Sequence, residues 1–129
     1  ENTDERFAWL TNFIETMMSA VVWGPCTSAT LANRYRTVFE QYAQRTGAPR
    51  DFVPWQGHDF SFRGMHGIEA ACTSGAGHLL SFTGTDTIPA IDFLEQYYGA
   101  DCEKELIGGS VPATEHAVMC AGGKETELD

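Results

Sequence analysis

Three short segments of the chain carry side chains that could bind a small planar ligand. They are residues 58–64, 84–87 and 110–116, which read His-Asp-Phe-Ser-Phe-Arg-Gly, Gly-Thr-Asp-Thr and Ser-Val-Pro-Ala-Thr-Glu-His. Each lies at the end of a short apolar run, where a predicted strand ends and a loop begins. Together they offer aromatic rings, carboxylates, one arginine and histidines.

These residue types suit a neutral aromatic amide, which needs a ring to stack on, an acceptor for its NH₂ and a donor for its carbonyl. Phe60 or Phe62 could supply the ring, worth about 0.5–1.5 kcal/mol beyond area burial. Asp86 could accept from the amide, and a carboxylate at this point would repel the corresponding acid. Arg63 could donate to the carbonyl or lie against the ring.

Each assignment has a structural alternative. Because the two phenylalanines of the first segment alternate, one of them is expected in the core. Asp86 could instead satisfy the backbone amides of its own turn. Arg63 is the one Lys or Arg between Arg50 and Lys104, and it could form an ion pair with a nearby carboxylate, Asp59 or Glu69.

Among the four histidines, His116 is the best catalytic candidate. It follows Glu115, and a neighbouring carboxylate raises the basicity of an imidazole. His58 precedes Asp59 and is expected to orient it. The other two histidines flank a predicted helix and are assigned to packing or capping.

The composition describes one globular domain. Of the 129 residues, 43% are hydrophobic and 20% are charged, as is typical of a folded protein. A net charge of −10 argues against nucleic acid as a partner, since phosphate binding needs clustered Lys and Arg. No stretch approaches the roughly 18 apolar residues that cross a membrane.

Cysteine use and the N-terminus predict a cytoplasmic location. Cys26, Cys72, Cys102 and Cys120 form no C-x-x-C pair, so we expect free thiols and no metal site. The acidic start lacks the basic and apolar regions of a signal peptide. Because the chain begins with Glu1, it is expected to be trimmed or to be a fragment.

Apolar spacing predicts two helices at the start of the chain. The first covers residues 5–23 and ends at Gly24-Pro25, and the second covers about 28–45 and ends at Gly47. Two tryptophans and a phenylalanine widen the apolar face of the first helix. We therefore expect that helix to be buried on more than one side.

From residue 52 onward, short apolar runs alternate with loops and helices. Strands are predicted over 52–56, 79–82 and 109–113, and helices over 64–77, from Thr87 to Gly99, and as a loop or short helix over 115–121. The small residues of the helix over 64–77 predict close packing against a sheet. Pro89 fits the first turn of the next helix.

The alternation of strand, loop and helix predicts parallel strands whose connecting loops share one side. Ligands bind at the carboxyl ends of such strands, where all three segments fall. The sequence thus predicts a single α/β domain over residues 1–129, with a helical pair over 1–50 and a β-loop-α portion over 51–129.

Several motifs in a fixed order resemble those of the nicotinamide phosphoribosyltransferase family. They lie at residues 58–64, 82–87, 97–99 and 110–116, and residues 11–16 are similar to the helix that precedes them in that family. The similarity covers nearly all of the chain, with short gaps around 49–55 and 100–108. The resemblance implies a type II phosphoribosyltransferase fold, of which this chain would form a partial irregular α/β barrel with a helical N-terminal segment.

The family condenses nicotinamide with phosphoribosyl pyrophosphate to give nicotinamide mononucleotide and pyrophosphate. The resemblance implies Mg²⁺ and ATP as cofactors of the full enzyme, and a homodimer. By resemblance, Phe60 would stack on the pyridine ring and Arg63 would contact the amide and phosphate side. Asp86 would select amide over acid, while Ser110 and Val111 would line the base pocket.

The resemblance also assigns a catalytic pair and sets limits. His116 would be phosphorylated during ATP coupling, with Glu115 beside it. The groups that handle pyrophosphate in the family are not recognised in this sequence, so we expect the chain to be inactive alone. Two alternatives remain open, a nicotinate phosphoribosyltransferase-like fragment and a non-catalytic binding or scaffold module.

Overall fold

The N-terminal third of the chain is one almost continuous helical rod. In the computed structural model, which describes residues 3–125, helix α1 (Leu10–Met17) passes through a π turn (Met18–Val22) into helix α2 (Trp23–Thr46). A single 3-10 turn (Glu5–Phe7) precedes it.

The break predicted at Gly24-Pro25 is therefore wrong. In the π turn the amide of Trp23 donates to the carbonyl of Met18, five residues back. Pro25 follows in the first turn of α2, where the hydrogen-bond ladder has already shifted register, so its missing N–H disrupts little.

The remaining elements are short. They are a 3-10 segment (Arg50–Trp55), strand β1 (His58–Asp59), a 3-10 turn (Phe62–Gly64), helix α3 (Ile68–Leu79), strand β2 (Gly84–Thr85), helix α4 (Ile88–Tyr98) and helix α5 (His116–Ala121). The part of the chain that the structure describes is mostly helical with a small two-stranded parallel sheet. The partial barrel stays a prediction.

Two helix ends lie where the glycines predict them. Helix α2 ends at Gly47 with φ of 72°, and α4 ends at Gly99 with φ of 70°. This left-handed conformation costs glycine little, which is why glycine stops so many helices. Pro89 lies in the first turn of α4, as its missing N–H allows.

The predicted strands are displaced. Residues 52–56 lie mostly in the 3-10 segment, and the run 79–82 closes helix α3, where the amides of Ser81 and Phe82 both donate to the carbonyl of His78. The strand predicted over 109–113 reduces to one bridge at Gly109. Short apolar runs fit a strand or a buried helix end equally well, so their periodicity alone does not separate the two.

The parallel arrangement of the three segments is confirmed. Strand β1 pairs with β2 in parallel, His58 opposite Gly84 and Asp59 opposite Thr85. A parallel bridge then joins Gly84 to Gly109. The three segments thus lie side by side, and the residues that follow each strand emerge at one edge.

Helix α3 is the centre of the packing. A Cβ atom on Gly75 would lie 2.7 Å from Cβ of Ala90 in α4, and one on Gly77 would lie 2.6 Å from the carbonyl oxygen of Pro25 in α2. The close packing predicted from the small residues is therefore confirmed. The neighbours differ from the prediction, because α3 is held mainly between two helices.

The N-terminal helix is not buried as predicted. Trp9, Phe13, Met17 and Trp23 are all exposed, because among residues 3–125 no element packs over this face of the rod. None of the helices that the structure describes has the length and apolar character needed to cross a membrane.

Candidate functional site

The three segments meet at the carboxylate of Asp86. Its Oδ1 atom accepts a hydrogen bond from Oγ of Ser110 at 2.6 Å and lies 2.9 Å from Nε2 of His58. An ionised carboxylate can only accept, so Nε2 of His58 carries the hydrogen in this contact. Residues 3–125 form no hydrogen bond to the second oxygen, Oδ2.

An aromatic surface lies beside this carboxylate. The ring of Phe60 stacks on the imidazole of His58 with centroids 4.3 Å apart and planes 26° from parallel. Phe60 is 66% exposed and Phe62 is 40% exposed, so the expectation that one of them belongs to the core is wrong. Phe60 therefore has an open face on which a planar ligand could stack.

The surroundings keep Asp86 ionised. The hydrogen bond from Ser110 has the largest part in lowering the pKa of Asp86, followed by the hydrogen bond from His58. The positive charge of Arg63 lowers that pKa further. The site therefore presents a negative charge at neutral and mildly acidic pH.

Arg63 acts on Asp86 through its positive charge. Neither Asp59 nor Glu69 forms an ion pair with it among residues 3–125, so the structural alternative for this arginine is not observed. Val111 follows Ser110 and is 40% exposed, which leaves an apolar side chain at the same edge.

Asp59 is not oriented by His58. Successive side chains of a strand point to opposite faces, so His58 reaches Asp86 while Asp59 is buried and accepts from the amide of Ser61 at 2.9 Å. Burial raises the pKa of Asp59, but the hydrogen bonding from Ser61 outweighs it, helped by the nearby Thr87 hydroxyl and the charge of His78, so the pKa lies below its usual value. Asp59 thereby fixes the turn that carries Phe60.

Among residues 3–125, Glu115 forms no hydrogen bond to His116, and their catalytic role stays a prediction. Oε2 of Glu115 accepts from the amide of Ala117 at 2.6 Å and so caps helix α5. A side chain at the N-cap position satisfies an otherwise unpaired helix amide, which draws the carboxylate away from the imidazole. Within the described residues, no hydrogen bond joins His116 to the Asp86 site.

The residues that the structure describes do not form a metal site of their own. Among them, no three His, Cys, Asp or Glu side chains gather closely enough to hold a metal. The ammonium group of Lys104 is paired with Asp101 in a loop. No step that uses Mg²⁺ or ATP follows from these side chains.

The sequence did not reveal two features of the site. One is the contact of His58 with Asp86, and the other is Gly84, which lies opposite His58 in the parallel sheet. A Cβ on Gly84 would lie 2.7 Å from Nδ1 of His58. The parallel register was the signal that could have found them, since it pairs the first residue of one segment with the glycine of the next.

In the part of the chain that the structure describes, the residues that follow the parallel strands converge on one carboxylate, at the edge where ligands bind in α/β proteins. Residues 55–129 match the family described as nicotinate phosphoribosyltransferase (NAPRTase). The chain belongs to this family.

Similar curated proteins cover the whole of the chain. A nicotinamide phosphoribosyltransferase of Acinetobacter baylyi is 55% identical over 128 residues, which is 99% of this chain and 25% of that protein. Proteins of the same name from Mycoplasma genitalium and Xanthomonas campestris are 37% and 34% identical, over 99% and 100% of this chain and 25% and 27% of their own lengths. The chain thus spans about a quarter of the length of the relatives that it matches.

Proposed function

We propose that this chain is the base-binding part of a nicotinamide phosphoribosyltransferase. The complete protein would join nicotinamide to phosphoribosyl pyrophosphate, giving nicotinamide mononucleotide and pyrophosphate. One observation carries the proposal: both hydrogen bonds of the Asp86 carboxylate converge on Oδ1, so Oδ2 is available to accept from the NH₂ of an amide. Names of relatives that share 34–55% identity support the same substrate.

In this reaction the pyridine nitrogen attacks C1 of the ribose while the bond from C1 to pyrophosphate breaks. The nitrogen uses its own lone pair, so no proton has to be removed from the base. The residues of this chain therefore act by orientation, which is a large source of rate enhancement in itself. Phe60 holds the ring plane, Asp86 fixes the amide, and Ser110 and Val111 border the pocket.

The choice of base depends on Asp86. A neutral amide can donate to this carboxylate, whereas the carboxylate of nicotinate would meet a like charge. Nicotinate is the second candidate, because the matching family is described by that substrate. The lowered pKa of Asp86 favours nicotinamide, because it keeps the repelling charge in place.

Other parts of the proposal concern the complete protein. A type II barrel, a homodimer in the cytoplasm, and the use of Mg²⁺ and ATP follow from the resemblance to the family. His116 would be the phosphorylated histidine, with Glu115 fixing its position at the start of α5. The groups that bind pyrophosphate would lie outside this chain, so the chain would be inactive alone.

The test uses the complete reading frame that contains this chain. We expect kcat/KM to favour nicotinamide over nicotinate, and we expect Asp86→Ala to reduce that preference by about tenfold or more, since a hydrogen bond to a charged group contributes about 1.5–3 kcal/mol. Asp101→Ala, which removes a half-buried carboxylate in a loop elsewhere, is the matched control. A preference for nicotinate would favour the second candidate, and a protein that transfers to neither base would favour the scaffold reading.

A further inference from the structure

We propose that His58 is a specificity-positioning residue, which holds the Asp86 carboxylate and the Phe60 ring in one fixed geometry and thereby sets the preference for a neutral amide base. This inference rests on the proposed function. From the sequence, His58 was expected to orient Asp59, so this role toward Asp86 and Phe60 is a new one.

The imidazole of His58 contacts both groups that would bind the base. Nε2 lies 2.9 Å from Oδ1 of Asp86, and the ring stacks on Phe60 at 4.3 Å. The side chain of His58 is 11% exposed whereas that of Asp86 is 45% exposed. His58 thus lies beneath the two more exposed groups and links them.

A slot in the neighbouring strand accommodates this ring. A Cβ on Gly84 would come within 2.7 Å of Nδ1 of His58, so the imidazole occupies the space that a side chain at position 84 would take. The carbonyl of Gly84 is held by Nε2 of His78 at 3.0 Å. The backbone is therefore fixed from the other side and has little freedom to move away.

Imidazole supplies both contacts from this position, because its small ring stacks and also carries an N–H donor. Phenylalanine would stack on Phe60 without donating, and glutamine would donate without offering a ring. Without the contact from His58, Oδ1 of Asp86 keeps only Ser110, and the carboxylate can rotate. Rotation removes the fixed presentation of Oδ2 to the amide, so a loss at position 58 weakens base binding.

The experiment is a double-mutant cycle in the complete protein. We expect His58→Phe to raise KM for nicotinamide about 5- to 10-fold with a smaller change in kcat, in line with about 1–1.4 kcal/mol for a partly exposed charged hydrogen bond. His58→Gln restores the donor and should recover part of the loss. In an Asp86→Ala background, His58→Phe should cause no further loss, because the carboxylate it positions is gone.

His66→Phe is the matched control, since this exposed histidine has no contact with the Asp86 site among residues 3–125. Thermal melting of every variant separates lost positioning from lost folding, and His58→Gln carries the test if His58→Phe does not fold. Any one of three results would overturn the inference. They are a KM of His58→Phe equal to that of the wild type, no recovery of KM in His58→Gln, and an undiminished effect of His58→Phe in the Asp86→Ala background. Absence of nicotinamide transfer in the wild-type protein would instead overturn the proposed function.

Discussion

The carboxylate of Asp86 receives hydrogen bonds from Ser110 and His58 although it is partly exposed. Water could solvate this carboxylate without the side-chain entropy that Ser110 and His58 lose in holding it, and exposed charged contacts contribute little to stability. A fixed orientation of the carboxylate is what these contacts add. At the scale of the residue, the arrangement is therefore explained better by ligand recognition than by folding.

Ser110 provides a first prediction. It contributes most to the lowered pKa of Asp86, so Ser110→Ala should move that pKa back toward its usual value and loosen the carboxylate. We expect KM for nicotinamide in the complete protein to rise about 2- to 5-fold, for the loss of about 0.5–1 kcal/mol. Steady-state kinetics would measure it, with Ser81→Ala as the control. An unchanged KM would show that His58 alone suffices to hold Asp86.

Asp59 provides a second prediction, which concerns stability against pH. Its folded pKa lies below the usual value of an aspartate, so its ionised form stabilises the fold at neutral pH, and the contribution is lost as pH falls through the folded pKa. Asp59→Asn keeps an acceptor for the Ser61 amide but loses the charge, and should cost about 1 kcal/mol at neutral pH.

Urea unfolding of both proteins at several pH values would measure this difference. It should be full at pH 7 and should disappear in acid, where both proteins carry a neutral group at position 59. A difference that persists unchanged in acid would show that the amide group itself disturbs the packing, and would refute the electrostatic explanation.

Much of the site was predictable from residue types and from the order of strand, loop and helix. Asp86 and Ser110 do lie together, and Phe60 presents an open ring. The partner of His58 was not predictable from adjacency in sequence, because adjacent strand residues point to opposite faces. The capping by Glu115 was missed for a related reason, since a backbone amide competed with the neighbouring imidazole for the same carboxylate.

Prediction of the elements succeeded where glycine marked helix ends and failed at short apolar runs. Gly47 and Gly99 each need a positive φ, and this local requirement can be read from sequence. Pro25 carries a local signal too, but the π turn before it removed the conflict that would have broken the helix. The strands depend on pairing with distant segments, which periodicity does not report.

Two glycines in helices give a matched prediction for the elements. Gly75 has Ala90 against it, whereas a Cβ on Gly24 would meet no atom within 4 Å. We expect Gly75→Ala to destabilise the protein by about 1–3 kcal/mol through overpacking between α3 and α4. Gly24→Ala should stabilise it by about 0.5–1 kcal/mol, because alanine favours helix.

Thermal or urea unfolding of the two variants would compare them under the same conditions. A stabilised Gly75→Ala protein would mean that α3 and α4 can separate at small cost. The close contact between them would then not be a determinant of the fold, and the small residues of α3 would need another explanation.

For the molecule as a whole, the main feature is apolar surface without a covering element. Trp9, Phe13, Met17 and Trp23 are exposed on the helical rod within the described residues. Large contiguous apolar surface commonly marks contact with other protein. Since the relatives that match are about four times as long, the proposed complete protein has ample chain to cover this rod.

The last prediction follows from that surface. At micromolar concentration the isolated 129-residue chain should self-associate, because burying several large rings releases about 25 cal/mol per Å² of apolar surface. Replacing Trp9, Phe13 and Trp23 with glutamine should shift it toward monomer in sedimentation velocity. Leu106→Gln with Val118→Gln removes exposed apolar side chains elsewhere and should leave association unchanged. A wild-type chain that sediments as a monomer and binds little hydrophobic dye would contradict the prediction, because the exposed rings of the rod would then be stable in water without a partner.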